Sequence, residues 1–165
     1  MPKKSDDKDK KTNAMRILDA HGIRYKTHCY ADTGAVDGTD VAAALGRDPH
    51  EMFKTLVTVG RSGAHYVFML PVCHTLDLKK AAAAVREKAV DMVHAKELLP
   101  LTGYVHGGCS PVGMKKPFPT VVDESAARLP SIVFSAGRIG WQVEMPLSDL
   151  QRVVPARTAD IVAAD

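Results

Sequence analysis

The sequence predicts an α+β fold, a mixed and largely antiparallel sheet curled toward a pseudo-barrel, with helices at its periphery. Three observations predict it. Short apolar, β-branched runs are joined by glycine-containing turns, as hairpins are. Alanine-rich segments with helical spacing stand between those runs. Strands and helices do not alternate regularly, so a doubly wound parallel sheet is excluded. A length of 165 residues suits one compact domain whose core needs no covalent staples. That domain is expected over 12–165, behind a disordered, charged tail at 1–11.

The elements follow in chain order. Thr12 is a natural N-cap, since its hydroxyl can accept from a first-turn amide; Ala14, Ile17 and Leu18 share one helical face, and Gly22 stops the helix. Alternation over 23–30 predicts a strand, and 31–38 a turn-rich loop. Thr39 reads as the cap of a helix carrying Val41, Ala44 and Leu45 before Gly46. The runs 52–59 and 65–72 flank Gly60-Arg61-Ser62-Gly63 and predict a hairpin. Residues 76–88 predict a helix with Leu78, Ala82 and Val85 inward, and 95–99 a short one ended by Pro100. Strands are expected at 102–106, 120–123 and 132–136, the last in a hairpin with 141–145. Helices are expected at 147–154, capped by Ser148, and at 158–163.

Composition narrows the function. With 45% hydrophobic and 25% charged residues the chain is neither collagen-like, coiled coil nor wholly disordered. It lacks the run of about 20 apolar residues that spans a bilayer, so no membrane partner is expected. The first eleven residues carry no apolar signal stretch, which points to the cytoplasm. Cys29, Cys73 and Cys109 are odd in number and scattered, as reduced thiols are. The formal charge is +3, but the tail holds five lysines and three aspartates, leaving 17 basic and 16 acidic residues in the body. A nearly balanced body excludes wholesale attraction to nucleic acid, and no DNA partner is expected. An anionic partner must be held by local lysines, of which Lys115-Lys116 lie beside a glycine turn.

That turn, Gly107-Gly108-Cys109-Ser110-Pro111-Val112-Gly113, is the most informative segment. Successive exposed amides in such a turn bind a carbonyl oxygen or a phosphate, although two glycines and a proline also make an ordinary tight turn. The glycine-lysine-serine/threonine spacing of a phosphate-binding P-loop is missing. Lys54, between Phe53 and Thr55, either projects into a cleft to hold an anion or guards a strand edge. Thr55 is either a ligand or a simple β-former. Ser135 ends a strand without the Gly-x-Ser-x-Gly elbow of a serine hydrolase. His106 with Cys109, and Cys73 with His74, lack zinc-binding spacing, so neither a metal nor a cofactor is expected.

In order and spacing, Phe53-Lys54-Thr55-Leu56, Leu76-Asp77-Leu78-Lys79-Lys80, Thr102-Gly103-Tyr104-Val105-His106 with the glycine turn, and the Ser135 hairpin resemble the YbaK/EbsC-type cysteinyl-tRNA deacylases. These belong to the superfamily of bacterial prolyl-tRNA synthetase editing domains. The resemblance covers roughly 12–163. It implies a pseudo-barrel with a cleft between the lysine strand and the glycine turn. It further implies clearance of cysteine mischarged on proline tRNA, commonly in company with prolyl-tRNA synthetase. Lys54 and Gly107 match the family's functional lysine and glycine, and Tyr30, Thr55 and Ser135 match its tyrosine, threonine and hairpin serine. The chain departs at Gln142, where better-known members have aspartate, and at 31–39, which lacks their phenylalanine.

On that resemblance Lys54, Gly107 and Gly108 are the expected catalytic residues, and Tyr30, Thr55, Ser135 and Gln142 the substrate-binding ones. No nucleophile-base pair is visible in the sequence, yet a cysteinyl substrate carries its own thiol. Folding that thiol onto the ester makes the attack intramolecular, with the amides of Gly107 and Gly108 facing the oxyanion. Two alternatives remain at this point: a deacylase for alanyl- or seryl-tRNA that uses an ordered water, and a silent module binding tRNA or a synthetase.

Overall fold

The computed structural model describes residues 11–164. The charged tail expected at 1–11 lies outside the described residues except for Lys11, whose Nζ sits 2.5 Å from Asp19. Chain order is α1 (Asn13–Ala20), β1 (Lys26–Cys29), α2 (Gly38–Leu45), β2 (Phe53–Gly60), β3 (His65–Pro71), α3 (Leu78–Ala84), β4 (Val90–Met92), α4 (Ala95–Thr102), β5 (Thr120–Asp123), β6 (Ile132–Ser135), β7 (Trp141–Met145), α5 (Leu147–Leu150) and β8 (Ala156–Ala159). Single 3₁₀ turns occupy Ala31–Thr33 and Glu124–Arg128.

Two sheets form. The smaller runs β1-β7-β6, and the larger β4-β2-β3-β5-β8. Four of the six pairings are antiparallel; β5 lies parallel to β3 and β8 parallel to β5. The fold is thus α+β with a mixed, largely antiparallel sheet system, as expected. The pseudo-barrel is corrected to two sheets that stay open. They meet at a parallel bridge between Met52 and Val133, supported by the Val133 amide donating to Glu51 at 3.0 Å.

Strand alternation explains the layering. Phe53, Met69 and Val122 of the large sheet face Ile132, Phe134, Val143 and Met145 of the small one, and α1 closes that core with Met15 and Leu18. Phe68, Leu70 and Val121 point the other way, onto Ala81 and Ala82 of α3 and onto Ile161. Val133 faces the far side of the small sheet with Val41 and Ala42 of α2 and with Tyr30.

Several local expectations are borne out. Thr12 caps α1, accepting from the Met15 amide, and its hydroxyl donates to Ala136 at 2.6 Å. The β2–β3 hairpin pairs Phe53 with Pro71 through Val59 with His65. Others are corrected. The strand expected at 102–106 is instead the end of α4 and the loop behind it, because the Thr102 hydroxyl turns back to Leu98 at 2.7 Å and Gly103 stops the helix. Pro100 does not end α4; its fixed φ suits the last turn, and it forfeits only its own amide bond. The helix expected at 158–163 does not form: β8 pairs with β5 through Ala159, and beyond it Val162 bridges Leu76, pairings that outweigh local alanine propensity. The helix expected at 147–154 shortens to α5, preceded by Pro146 rather than capped by Ser148, and Asp37 rather than Thr39 precedes α2. Strand β4 had no sequence signal.

Candidate active site

The bridge at Met52 brings the start of β2 beside the end of β6, and a cavity of about 440 Å³ opens there. Lys54, Thr55, Gly107, Ser135, Gln142 and Tyr30 all line it. Six expected residues from five separate segments therefore share one cavity.

Each is positioned by local structure. Tyr30 follows β1 and is buried, and its amide donates to Gly140 at 2.8 Å across the small sheet. Ser135 and Gln142 are a cross-strand pair of the β6–β7 hairpin. The Gly137 amide donates to the Ser135 hydroxyl oxygen at 3.1 Å, which leaves the serine O–H to donate. Tyr104 anchors the glycine turn: its hydroxyl donates to the Val112 carbonyl at 2.5 Å, and its ring packs where a Cβ on Gly137 would come within 2.9 Å. Burial pushes its phenol up to about 12, so it stays a donor.

The two turn glycines differ. Gly107 has φ +87°, a left-handed conformation that side chains disfavour, and its amide has no backbone acceptor among the described residues. Gly108 is buried outside the cavity lining, tight against the hairpin, where a Cβ would lie 3.0 Å from the Ile139 nitrogen. Its amide already donates to Val105 at 3.0 Å. The expectation that Gly108 supplies an oxyanion donor is therefore corrected: close packing explains this glycine, and its N–H is spent within the turn.

Electrostatics single out β2. Lys54 makes no ion pair among the described residues, and partial burial pulls its ammonium below the usual range against the opposing charges of Asp37 and Cys73. The Thr55 hydroxyl is buried and has no hydrogen-bond partner among the described residues. An unpartnered buried hydroxyl costs about 1–3 kcal/mol, which a ligand accepting or donating there would recover. The Cys109 thiol also lines the cavity, but burial pushes it up to about 12, opposed only by Thr102. It is neutral at physiological pH and no nucleophile.

Sequence reasoning missed Asp37, His106 and Cys109 as lining residues. Adjacency of His106 to Gly107 was the one available signal. Asp37 matters because Gln142 brings no charge; the carboxylate at this cavity comes instead from the residue preceding α2, where it also accepts from the Thr39 hydroxyl at 2.6 Å. Also missed was Glu144, two residues beyond Gln142. Its buried carboxylate accepts from Arg47 at 2.9 and 3.1 Å and from Ser131 at 2.5 Å, and His28 Nε2 lies 2.8 Å away. Burial alone would raise this carboxyl, but the hydrogen bonds from Arg47, Ser131 and His28 outweigh it and hold the group at about 2.

The chain belongs to the aminoacyl-tRNA editing family, whose model matches residues 33–153 and so takes in most of the residues that line the cavity. Editing an aminoacyl-tRNA means cleaving its aminoacyl ester, so the reaction class is deacylation. Among individual relatives, EbsC of Enterococcus faecalis (strain ATCC 700802 / V583), provisionally named a Cys-tRNA(Pro)/Cys-tRNA(Cys) deacylase, is 40% identical over 156 residues, covering 94% of this chain and 95% of EbsC. A crystal structure provisionally described as a trans-editing enzyme for prolyl tRNA synthetase superposes with TM-score 0.80 at 26% identity, covering 94% of this chain and all of that one. The crystal structure of hypothetical protein APE2540 shares the fold, with TM-score 0.84 at 23% identity over 92% of this chain and all of that one. Among the described residues, no helix is long and apolar enough to cross a membrane.

Proposed function

We propose that this chain is a trans-acting editing enzyme for cysteine mischarged on proline tRNA, also accepting Cys-tRNA(Cys), and that the substrate's own thiol cleaves the ester. One observation carries the mechanism: the cavity offers an ammonium, a carboxylate and a hydroxyl without a partner among the described residues, while the Cys109 thiol that lines it is held neutral. The groups fit an aminoacyl ester. Asp37 faces the substrate's α-ammonium, Lys54 the terminal phosphate or the reacting ester, and the Gly107 amide the oxyanion. Tyr30, Thr55, Ser135 and Gln142 shape and orient the side chain.

In the reaction the substrate thiol loses its proton, and sulfur attacks the ester carbonyl carbon. The bond to the ribose oxygen breaks, that oxygen takes up a proton, and a small cyclic thioester leaves and opens in water. Holding thiol and carbonyl in contact lowers the barrier by on the order of 7 kcal/mol. Selectivity follows from reactivity: a pocket separates cysteine from serine poorly by fit, but a thiol of pKa ~8.5 ionises far more readily than an alcohol. Prolyl-tRNA synthetase is the proposed companion and the cytoplasm the proposed location. Likeness to a structure provisionally described as a trans-editing enzyme for prolyl tRNA synthetase supports the first, and the charged-tRNA substrate class supports the second.

The test is purified protein with one tRNA charged separately with cysteine, alanine and serine. Preferential cysteine release supports the proposal. Preferential alanine or serine release means an ordered water is the nucleophile, the reading that Gln142 keeps open by bringing no charge. Saturable tRNA binding with no release means a silent module.

A further inference from the structure

Beside the lysine end of the cavity, the fold assembles three side chains that the sequence keeps apart. His50 lies in the turn before β2, and Cys73 and His74 lie just past the end of β3. One donor atom from each falls within 4.8 Å of the others. Pairing of Phe53 with Pro71, and the Val72 amide donating to Met52 at 2.8 Å, bring the two segments together. The imidazoles already meet edge to face, 5.4 Å between centroids.

We propose that His50, Cys73 and His74 form a zinc site with an open fourth position. The donor set decides the cation. Two imidazoles and a thiolate suit Zn²⁺, while Mg²⁺ and Ca²⁺ require oxygen donors that this trio lacks. A tetrahedral zinc ion holds its ligand atoms about 3.5 Å apart, so the trio, all within 4.8 Å, needs a contraction of at most about 1.3 Å. Rotamer adjustment supplies it, since His50 and Cys73 are exposed and His74 half-buried. A further partner is in place: Asp48 Oδ1 lies 2.9 Å from His50 Nδ1, the carboxylate-histidine contact that orients a metal-bound imidazole through its other nitrogen. Cys73 is in no disulfide.

None of the three lines the cavity, but Met52 and Val72, beside them in sequence, both do. Bound zinc would clamp the segment entering β2 to the segment leaving β3 and so brace the wall that carries Lys54. The proposal does not rest on the tRNA chemistry proposed above, although Cys73 lies near enough to Lys54 to act on its charge.

The experiment is alkylation of the folded, metal-free protein, with each cysteine read by mass spectrometry, with and without Zn²⁺ in slight molar excess. Cys29 is exposed as Cys73 is, and serves as the control within the same molecule. Zinc should slow labelling of Cys73 by roughly tenfold or more, because a metal-held thiolate is shielded, while Cys29 is unchanged and Mg²⁺ protects neither. His74→Ala should abolish the protection. Equal labelling of Cys73 with and without zinc overturns the site, as does protection that survives His74→Ala. The wild-type comparison stands by itself if that variant misfolds.

Discussion

Two polar clusters share one face of β7, two residues apart, and they have been built for opposite ends. Around Glu144 every charge is answered: Arg47, Ser131 and His28 converge on one buried carboxylate. Around Gln142 the cavity leaves groups unanswered, with the Lys54 ammonium half-buried and outside any ion pair among the described residues, and the Thr55 hydroxyl without a partner. The lesson is physical. A buried polar group that is fully satisfied specifies structure, whereas one left open in a cavity is held for a ligand.

Breaking each cluster should give opposite results. Lys54→Ala should lower deacylation by about a hundredfold or more, the usual cost of losing an electrostatic stabiliser, with the urea midpoint barely moved. Activity within a few-fold of the wild type would remove Lys54 from the mechanism. Glu144→Gln should do the reverse, lowering unfolding stability by about 3 kcal/mol because Arg47 loses its buried counter-charge, while the remaining folded enzyme turns over nearly normally. A stable Glu144→Gln protein would mean that the cluster adds little.

Acid sharpens the same contrast. Glu144 titrates at about 2 rather than at its ordinary 4.5, so its contribution is complete above the ordinary value and drains away as the pH falls from about 4.5 to about 2. The loss amounts to about 3 kcal/mol. Urea unfolding across that range should show the slope in the wild type and a flatter profile in Glu144→Gln. The smallest effect is expected of Thr55→Val, which deletes the orphaned hydroxyl and should leave stability unchanged or raise it by about 1 kcal/mol, while weakening deacylation. A clear loss of stability would show that this hydroxyl is already satisfied.

What the sequence carried was local or motif-like. The Thr12 cap, the β2–β3 hairpin and the glycine turn are written in consecutive residues, and the order of the motifs brought Lys54, Gly107 and Ser135 to one cleft on resemblance. What it hid was assembled across distance. Glu144 draws on positions 28, 47 and 131, and the His50, Cys73 and His74 cluster on two turns brought together by a hairpin. Gly108 was expected to offer its amide beside Gly107, but that N–H donates to Val105 and the residue packs tightly against Ile139. Helix was misread at 158–163 because β5 pairs with Thr158 and Ala159 and Leu76 bridges Val162, distant partners that no local propensity records.

The central claim is that sulfur on the substrate, not on the enzyme and not from water, opens the ester. S-methylcysteinyl-tRNA(Pro) nearly preserves the size of the aminoacyl group and removes the nucleophile. Its deacylation by this protein, measured beside cysteinyl-tRNA(Pro), should fall to the uncatalysed rate. Comparable rates for the two would contradict the account.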